Sequence, residues 1–365
     1  MLHKLVSAGG HELRHSVISL QTKGTIGPKL EDAGAIVVAL NLSGGRVPGF
    51  PALALVSHLR ALQPDLIQGW MYHGNVAASV ARTGMRKKPA LCWSIRCSLN
   101  ETRSDNWLTR TIVQIGGPLS RNAGAILYNS DRSRRQHEAI GYNPRRSVVI
   151  PNGFDVEALH PSPQLKQSMR QDLGIPEDAI VFGMLARLHP MKDHGSFLAT
   201  AVETIAQTHN TYFVAAGRDV PSLRETNSDL TRKAGTRLIL LPEQPNVVQF
   251  MNGLDVCLLN SAAEGFPNVL GEAMACGVPC ITSDVGDCAA IVGNTGLVVP
   301  PRSPQETTAA ALHLLRAGAG VRYELGQLAR QRVIDLFSLD SVAERYKSQW
   351  IKVAASSGRT AEVGH

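Results

Sequence analysis

SAAEGFPNVLGEAMACGVPCITSDVGD, residues 261–287, carries more structural information than any other run of the chain. Glu264 and Glu272 are separated by seven residues. Between them the turn-forming run Gly265, Phe266, Pro267, Asn268 leads into Val269 and Leu270, which read as the start of a helix. Gly277, Val278 and Pro279 stop that helix, and the apolar run Cys280, Ile281, Thr282 reads as the next strand. One carboxylate therefore lies in the loop before a helix, and the other about two turns along it. A helix N-terminus carries unpaired N–H groups and a partial positive charge, which makes it an anion site. A phosphate held there would have Glu264 on one side and Glu272 on the other, both able to accept hydrogen bonds from sugar hydroxyls. The pattern predicts a sugar-nucleotide site.

Upstream, GMLARLHPMKDH at 183–194 ends one strand and opens one helix, with Arg187 and Lys192 in the turn between them. Ligands of open α/β sheets bind at the carboxyl ends of the strands, which is where this turn falls. Two cations there suit a phosphate-bearing ligand. Arg offers a planar fork and Lys a compact charge. No DxD pair, GxGxxG loop or Walker loop occurs in the chain, so dinucleotide and ATP readings fall. The expectation is charge compensation without a metal.

The rest of the chain alternates strand with helix. Strands are predicted over 15–20, 35–40, 66–69, 90–95, 125–129 and 148–150, with helices over 1–8, 52–62, 75–82, 107–115 and 132–139 between them. After the Pro151, Asn152, Gly153 turn the alternation restarts, with strands over 180–185, 212–216, 238–241, 256–259, 280–283 and 296–299. Helices over 307–315, 322–336 and 341–351 finish it. Such alternation argues for parallel, doubly wound sheets. His73 and Arg96 each follow a strand and so sit at its carboxyl end.

At 365 residues and 44% hydrophobic content, the chain is long enough for two globular domains. No apolar run approaches the roughly 20 residues needed to cross a bilayer, and no signal peptide opens the chain. The six cysteines are scattered without CxxC spacing, which reads as reduced thiols in an intracellular protein. Charge is uneven. Residues 1–150 hold 19 Lys and Arg against 8 Asp and Glu, whereas the remainder holds 18 against 22. A basic half suits nucleic acid, an anionic membrane face or an anionic substrate. Neither an RNP-type aromatic pattern nor zinc-finger spacing supports nucleic acid, so a membrane surface or a lipid-phosphate acceptor is preferred.

The 261–287 stretch resembles the Glu-x7-Glu motif of the retaining family 4 glycosyltransferases, which have the two-domain GT-B fold. The resemblance includes the glutamate spacing, the EGFPN turn, the EAMACGVP helix end and the SDVG loop. It implies two Rossmann-like doubly wound domains facing a cleft. Residues 1–150 would form the acceptor side, 151–340 the nucleotide-sugar domain, 341–354 a helix returning to the first domain, and 355–365 a flexible tail. Glu264 would be the catalytic carboxylate, binding hydroxyls of the donor sugar, and Glu272 would bind the ribose. Arg187, Lys192 and the N–H groups near Asn268, Val269 and Leu270 would hold the diphosphate, with Gly265, Phe266 and Pro267 completing the donor site.

Retention in this family is attributed to front-face attack, the leaving phosphate taking the acceptor's proton, so no protein nucleophile is assigned. Many relatives carry a histidine near the acceptor in the loop matching Ile95, Arg96, Cys97 and Ser98. Here Arg96 stands instead, and with His73 it is the acceptor-side candidate. Family members begin with a strand and a Gly-rich loop before the helix in which this chain starts, so the expectation is either a sequence that begins at the wrong Met or a first domain without its central strand. The implied co-substrate is a UDP or GDP sugar, with no cofactor and no metal. The implied acceptor is a glycan or lipid-linked molecule, in surface polysaccharide or lipopolysaccharide-type synthesis at the cytoplasmic membrane face.

Rival readings come from other classes. His11, Glu12 and His15 match the HExxH zinc-hydrolase pattern, but a Gly-Gly stop precedes them and a β-branched run follows. Residues four apart in a strand are about 13 Å from each other, too far to share an ion. A sugar-nucleotide epimerase on the same fold would need the same donor site, and so would an inactive nucleotide-binding remnant.

Overall fold

The computed structural model describes residues 1–8, 13–42, 50–99 and 107–357, and the chain divides into two compact units. Unit 1 is Met1–Gly153 with the chain from Leu339 onward, and unit 2 is Phe154–Ser338.

Unit 2 is organised on one six-stranded parallel sheet. Its strands are β7 (Ile180–Leu185), β8 (Thr211–Ala216), β9 (Leu238–Leu241), β10 (Val256–Leu259), β11 (Cys280–Ser283) and β12 (Leu297–Val299), in spatial order β12-β11-β10-β7-β8-β9. The strand order reverses beside β7, so the sheet is doubly wound, as the alternation predicts. Burial on both faces explains the continuous apolar runs. Successive side chains take opposite sides: Val214, Ala216, Cys257 and Leu259 join one core cluster, while Phe213, Ala215, Val256 and Leu258 join the other. One long helical run, Pro304–Phe337, serves both clusters. It breaks at Gly318, whose φ of 88° lies in the left-handed region that favours glycine. Before the break Ala311 and Leu314 pack on one face; beyond it Ala329, Val333 and Phe337 pack on the other.

Unit 1 is also parallel throughout, but its strands form two separate sheets. β1 (Ser16–Ser19) pairs only with β2 (Ile36–Ala39) among the described residues. β3 (Leu66–Trp70), β4 (Ala90–Ile95), β5 (Ala125–Tyr128) and β6 (Ser147–Val149) form a four-stranded sheet in sequential order. The single sheet that strand–helix alternation suggests is thus interrupted between β1 and β3. The terminal helix Leu339–Ser356 lies on the face carrying Ala90, Cys92, Ala125 and Leu127, through Val342, Tyr346 and Val353, with Leu5 beside it. The opposite face carries Trp93, Ile95, Ile126 and Tyr128 against Tyr72, Val113 and Tyr142.

His137 is fully buried on that second face. Its Nδ1 lies 2.7 Å from the Ser133 carbonyl, which can only accept, so Nδ1 carries the proton and Nε2 accepts from the Tyr72 hydroxyl at 2.8 Å. Burial lowers its pKa to about 4. No helix among the described residues is long and apolar enough to cross a membrane. All six cysteines are free.

Candidate active site

The carboxyl ends of β7 and β10 carry the two segments singled out in the sequence. After β7 the chain turns through Arg187 and the short helix Pro190–Lys192 into the helix His194–Ala206. Asp193 sits between them at φ 49° and caps the longer helix, its carboxylate accepting from the Ser196 N–H and hydroxyl. Gly217 presses on the start of this turn. A Cβ there would stand 2.1 Å from the Ala186 oxygen, so only glycine permits the approach.

After β10 come Ser261 and the EGFPN turn. The Ala262 N–H donates to the Met191 carbonyl at 2.8 Å, tying the two turns together. The tie brings Lys192 and Glu264 into contact: Lys192 Nζ lies 2.5 Å from Glu264 Oε1. The Ser261 hydroxyl donates to the same oxygen at 2.6 Å. With both donors on Oε1, a lysine and a hydroxyl fix the orientation of this buried carboxylate.

The loop after β11 closes on the same turn. The Ser283 hydroxyl donates to the Ser261 carbonyl at 2.5 Å, and the Asp287 N–H to the Gly265 carbonyl at 3.0 Å. Gly286 has φ 57°, and a Cβ there would meet the Glu264 carbonyl at 2.4 Å. The SDVGD loop is therefore a backbone clamp on Glu264. Ser261, Ser283 and Gly286 were not among the candidates read from the sequence, although all lie in the 261–287 stretch. Their signal is small or polar residues directly after apolar strand runs, at the ligand-binding end of the sheet.

The helix Asn268–Ala275 begins after Pro267, which caps it in an extended conformation. Asn268 is exposed, Val269 and Glu272 are half-buried, and Arg187 is exposed. Phe266 and Leu270 point elsewhere. Phe266 stacks on Phe154 with centroids 6.4 Å apart, and Leu270 is fully buried in the adjacent core. Any part these two play toward a ligand falls to their backbone. Gly265 and Pro267 are buried in the turn, and Glu264 and Lys192 are paired. Cys288, beside the clamp, is held protonated, its pKa pushed up to about 12 chiefly by burial, with the Glu264 charge adding to the rise.

In unit 1, Arg96 follows β4. Its guanidinium lies over the Trp70 ring, 5.0 Å from the centroid, and donates to the Tyr346 hydroxyl at 2.8 Å and to Asn152 Oδ1. These contacts bind β3, β4, the 150s turn and the terminal helix to each other. His73 is exposed on the helix Met71–Thr83. His11 and Glu12 lie outside the described residues. His15 precedes β1 and stands edge-on to Trp350, with centroids 5.9 Å apart.

Residues 179–317 match the family model described as Glycosyl transferases group 1, and residues 5–158 match the one described as Glycosyltransferase Family 4. The chain belongs to the glycosyltransferases of the GT-B fold. Among solved structures, HepE from Anabaena, crystallised with UDP and glucose, superposes on this glycosyltransferase with a TM-score of 0.79 at 21% identity, covering 96% of this chain and 95% of HepE. A D-inositol 3-phosphate glycosyltransferase from Geodermatophilus obscurus is 27% identical over 251 residues, 64% of this chain and 54% of that protein. EpsF of Bacillus subtilis is 29% identical over 164 residues, 45% of this chain and 40% of EpsF. The chain thus matches about half the length of these curated relatives.

Proposed function

We propose that this glycosyltransferase moves a sugar from a nucleotide diphosphate sugar to an acceptor hydroxyl with retention at the anomeric carbon. The observation that carries the reading is the Lys192–Glu264 pair, joined by the Met191–Ala262 backbone bond beside the start of the helix Asn268–Ala275. A cation, an oriented carboxylate and a set of helix N–H groups are what a sugar diphosphate requires.

In the proposed mechanism, Lys192, Arg187 and the N–H groups of residues 268–270 neutralise the diphosphate. Glu264 turns its unengaged oxygen to the donor sugar's hydroxyls, and Glu272 accepts from the ribose. The bond from the anomeric carbon to the diphosphate oxygen breaks while the acceptor oxygen bonds on the same face. The acceptor's proton passes to the leaving phosphate. Charge compensation by the side chains and helix, without a metal, is part of the proposal. HepE's complex with UDP and glucose favours a UDP sugar over a GDP sugar. His73 and Arg96 are proposed for the acceptor side, with Arg96 acting from its place on Trp70. The acceptor is proposed to be a glycan or lipid-linked molecule of polysaccharide synthesis, met at an anionic membrane surface.

The test is a thermal-shift panel of UDP-, GDP- and ADP-sugars, with and without EDTA, repeated on Glu272→Ala. The expected result is a shift with UDP sugars that survives EDTA and weakens in the variant. A shift unaltered in the variant removes the ribose role, and no shift with any nucleotide sugar removes the function.

A further inference from the structure

Lys192 ends a helix of a single turn, Pro190–Lys192, and an imidazole opens it. His189 is extended, at φ −158° and ψ 144°, and Pro190 brings the fixed φ that suits a first helical position. The His189 ring folds back over the turn, where its Nδ1 accepts from the Met191 N–H at 3.2 Å. The His189 carbonyl accepts from the Lys192 N–H at 2.9 Å. Pro190 has no N–H, so this one residue engages every backbone donor of the turn. The Met191 carbonyl accepts from the Ala262 N–H, so the turn that His189 caps is also the one tied to the Glu264 segment.

A ring nitrogen that accepts a hydrogen bond carries no proton. With Nδ1 accepting, the neutral ring keeps its proton on Nε2, and a second proton would set an N–H against that of Met191. The usual capping residues Ser, Thr and Asn do not titrate, so a histidine makes this cap depend on pH. The charged and titratable groups around it are Arg187, Lys192, Asp193 and His194 on its own segment, Arg218, Asp219 and Glu243 after β8 and β9, and Glu264 after β10. The Leu188 N–H donates to the Arg218 carbonyl, which sets the β8 turn alongside. Asp193 is engaged by Ser196, Glu243 by Arg218 and Glu264 by Lys192. Among the described residues the His189 ring has its hydrogen bond from Met191 alone. We infer that His189 is a positioning residue for sugar transfer: as the neutral imidazole it caps the Pro190–Lys192 turn and aims Lys192, and its protonation releases that turn.

The inference rests on the role proposed above for Lys192, and its test has one arm that needs no turnover. Transfer kinetics are followed from about pH 8 to about pH 5, the range in which imidazoles titrate, on the parent, His189→Asn and His189→Ala. Amide exchange at Met191 in the free protein, expressed as a protection factor, is measured over the same range. The parent should lose about tenfold in kcat/KM as the pH falls. His189→Asn, whose side-chain oxygen can cap without titrating, should match the parent at the upper pH within about threefold and stay flat on acidification. His189→Ala should be flat too, but lower by about fivefold to tenfold. Met191 protection should follow the same order. An acid limb that persists in His189→Asn overturns the proposal, and so does a His189→Ala variant with the parent's kcat/KM. Met191 protection that ignores both pH and the alanine overturns the cap itself. A parent that transfers no sugar, yet loses Met191 protection in acid, removes the proposed function and the positioning role with it while leaving the cap in place.

Discussion

Unit 2 places its six strands in one sheet, whereas unit 1 divides the same number into a pair and a quartet. The strands of β10 and β11 are buried at every position, while β1 has no fully buried residue. What joins the pair to the quartet is side chains: Ile18 and Leu20 at β1 and Ile67 of β3 share a cluster with Leu55, Leu59, Ala81 and Met85. In unit 2 the ladder and the cores reinforce each other, and the turns at the strand ends are fixed closely enough to pair Lys192 with Glu264. Among the described residues of unit 1 the edges of β1 and β3 have no ladder between them, and side chains of the helices carry the connection. The lesson is that a parallel sheet derives precision from continuity, and the candidate chemistry is concentrated where continuity is complete.

The largest expected effect tests that concentration. Lys192→Ala should lower sugar transfer about a hundredfold or more, by removing a cation aimed at developing charge. Steady-state kinetics checks it, and a loss below tenfold would detach Lys192 from the leaving group. A second contrast is energetic. Leu258→Ala, at a fully buried position of β10, should cost about 3 kcal/mol, but Ile18→Ala in half-buried β1 only about 1 kcal/mol. Calorimetry reads these as shifts in separate transitions, and equal costs would erase the difference between the units.

Acid should distinguish them as well. His137 titrates near 6.5 when unfolded and at about 4 when folded, so the unfolded chain takes up a proton first as pH falls. Unit 1 therefore has its full stability above pH 6.5 and loses roughly 2–3 kcal/mol as pH drops toward 4. His137→Gln should flatten that dependence, and an unchanged slope would place the acid sensitivity elsewhere. A comparably small effect is expected at Ser261→Ala. Losing one hydroxyl from the Glu264 carboxylate should cost about 1–2 kcal/mol of transition-state binding, seen as lower kcat/KM with little change in melting temperature.

The fold class was legible because strand and helix periodicity are local properties, and the twelve strands among the described residues alternate with helices as that periodicity predicts. The break between β1 and β3 was less so, because which strands pair depends on residues far apart in the chain. Nothing in β1's own sequence marks it. The stretch around Glu264 carries residue types suited to a sugar diphosphate. It did not show that the Phe266 and Leu270 side chains turn into the core, since a mixed turn and helix start gives no clean period. Nor did it show Ser261 converging with Lys192 on one carboxylate oxygen, a contact spanning 72 residues between Lys192 and Glu264. At Arg96 the sequence marked a strand end but not the Trp70 ring and Tyr346 hydroxyl that engage its charge.

Gly318 has a consequence for how unit 2 comes apart. A six-stranded sheet insulates its two oily layers from each other, yet the run from Pro304 to Phe337 threads both. Nothing lies within 4 Å of where its Cβ would be, so a bulkier residue would meet no neighbour and would be felt only as backbone torsion. Gly318 thus links the two layers through a backbone conformation that only glycine adopts without strain, and a replacement there is expected to let one layer loosen ahead of the other.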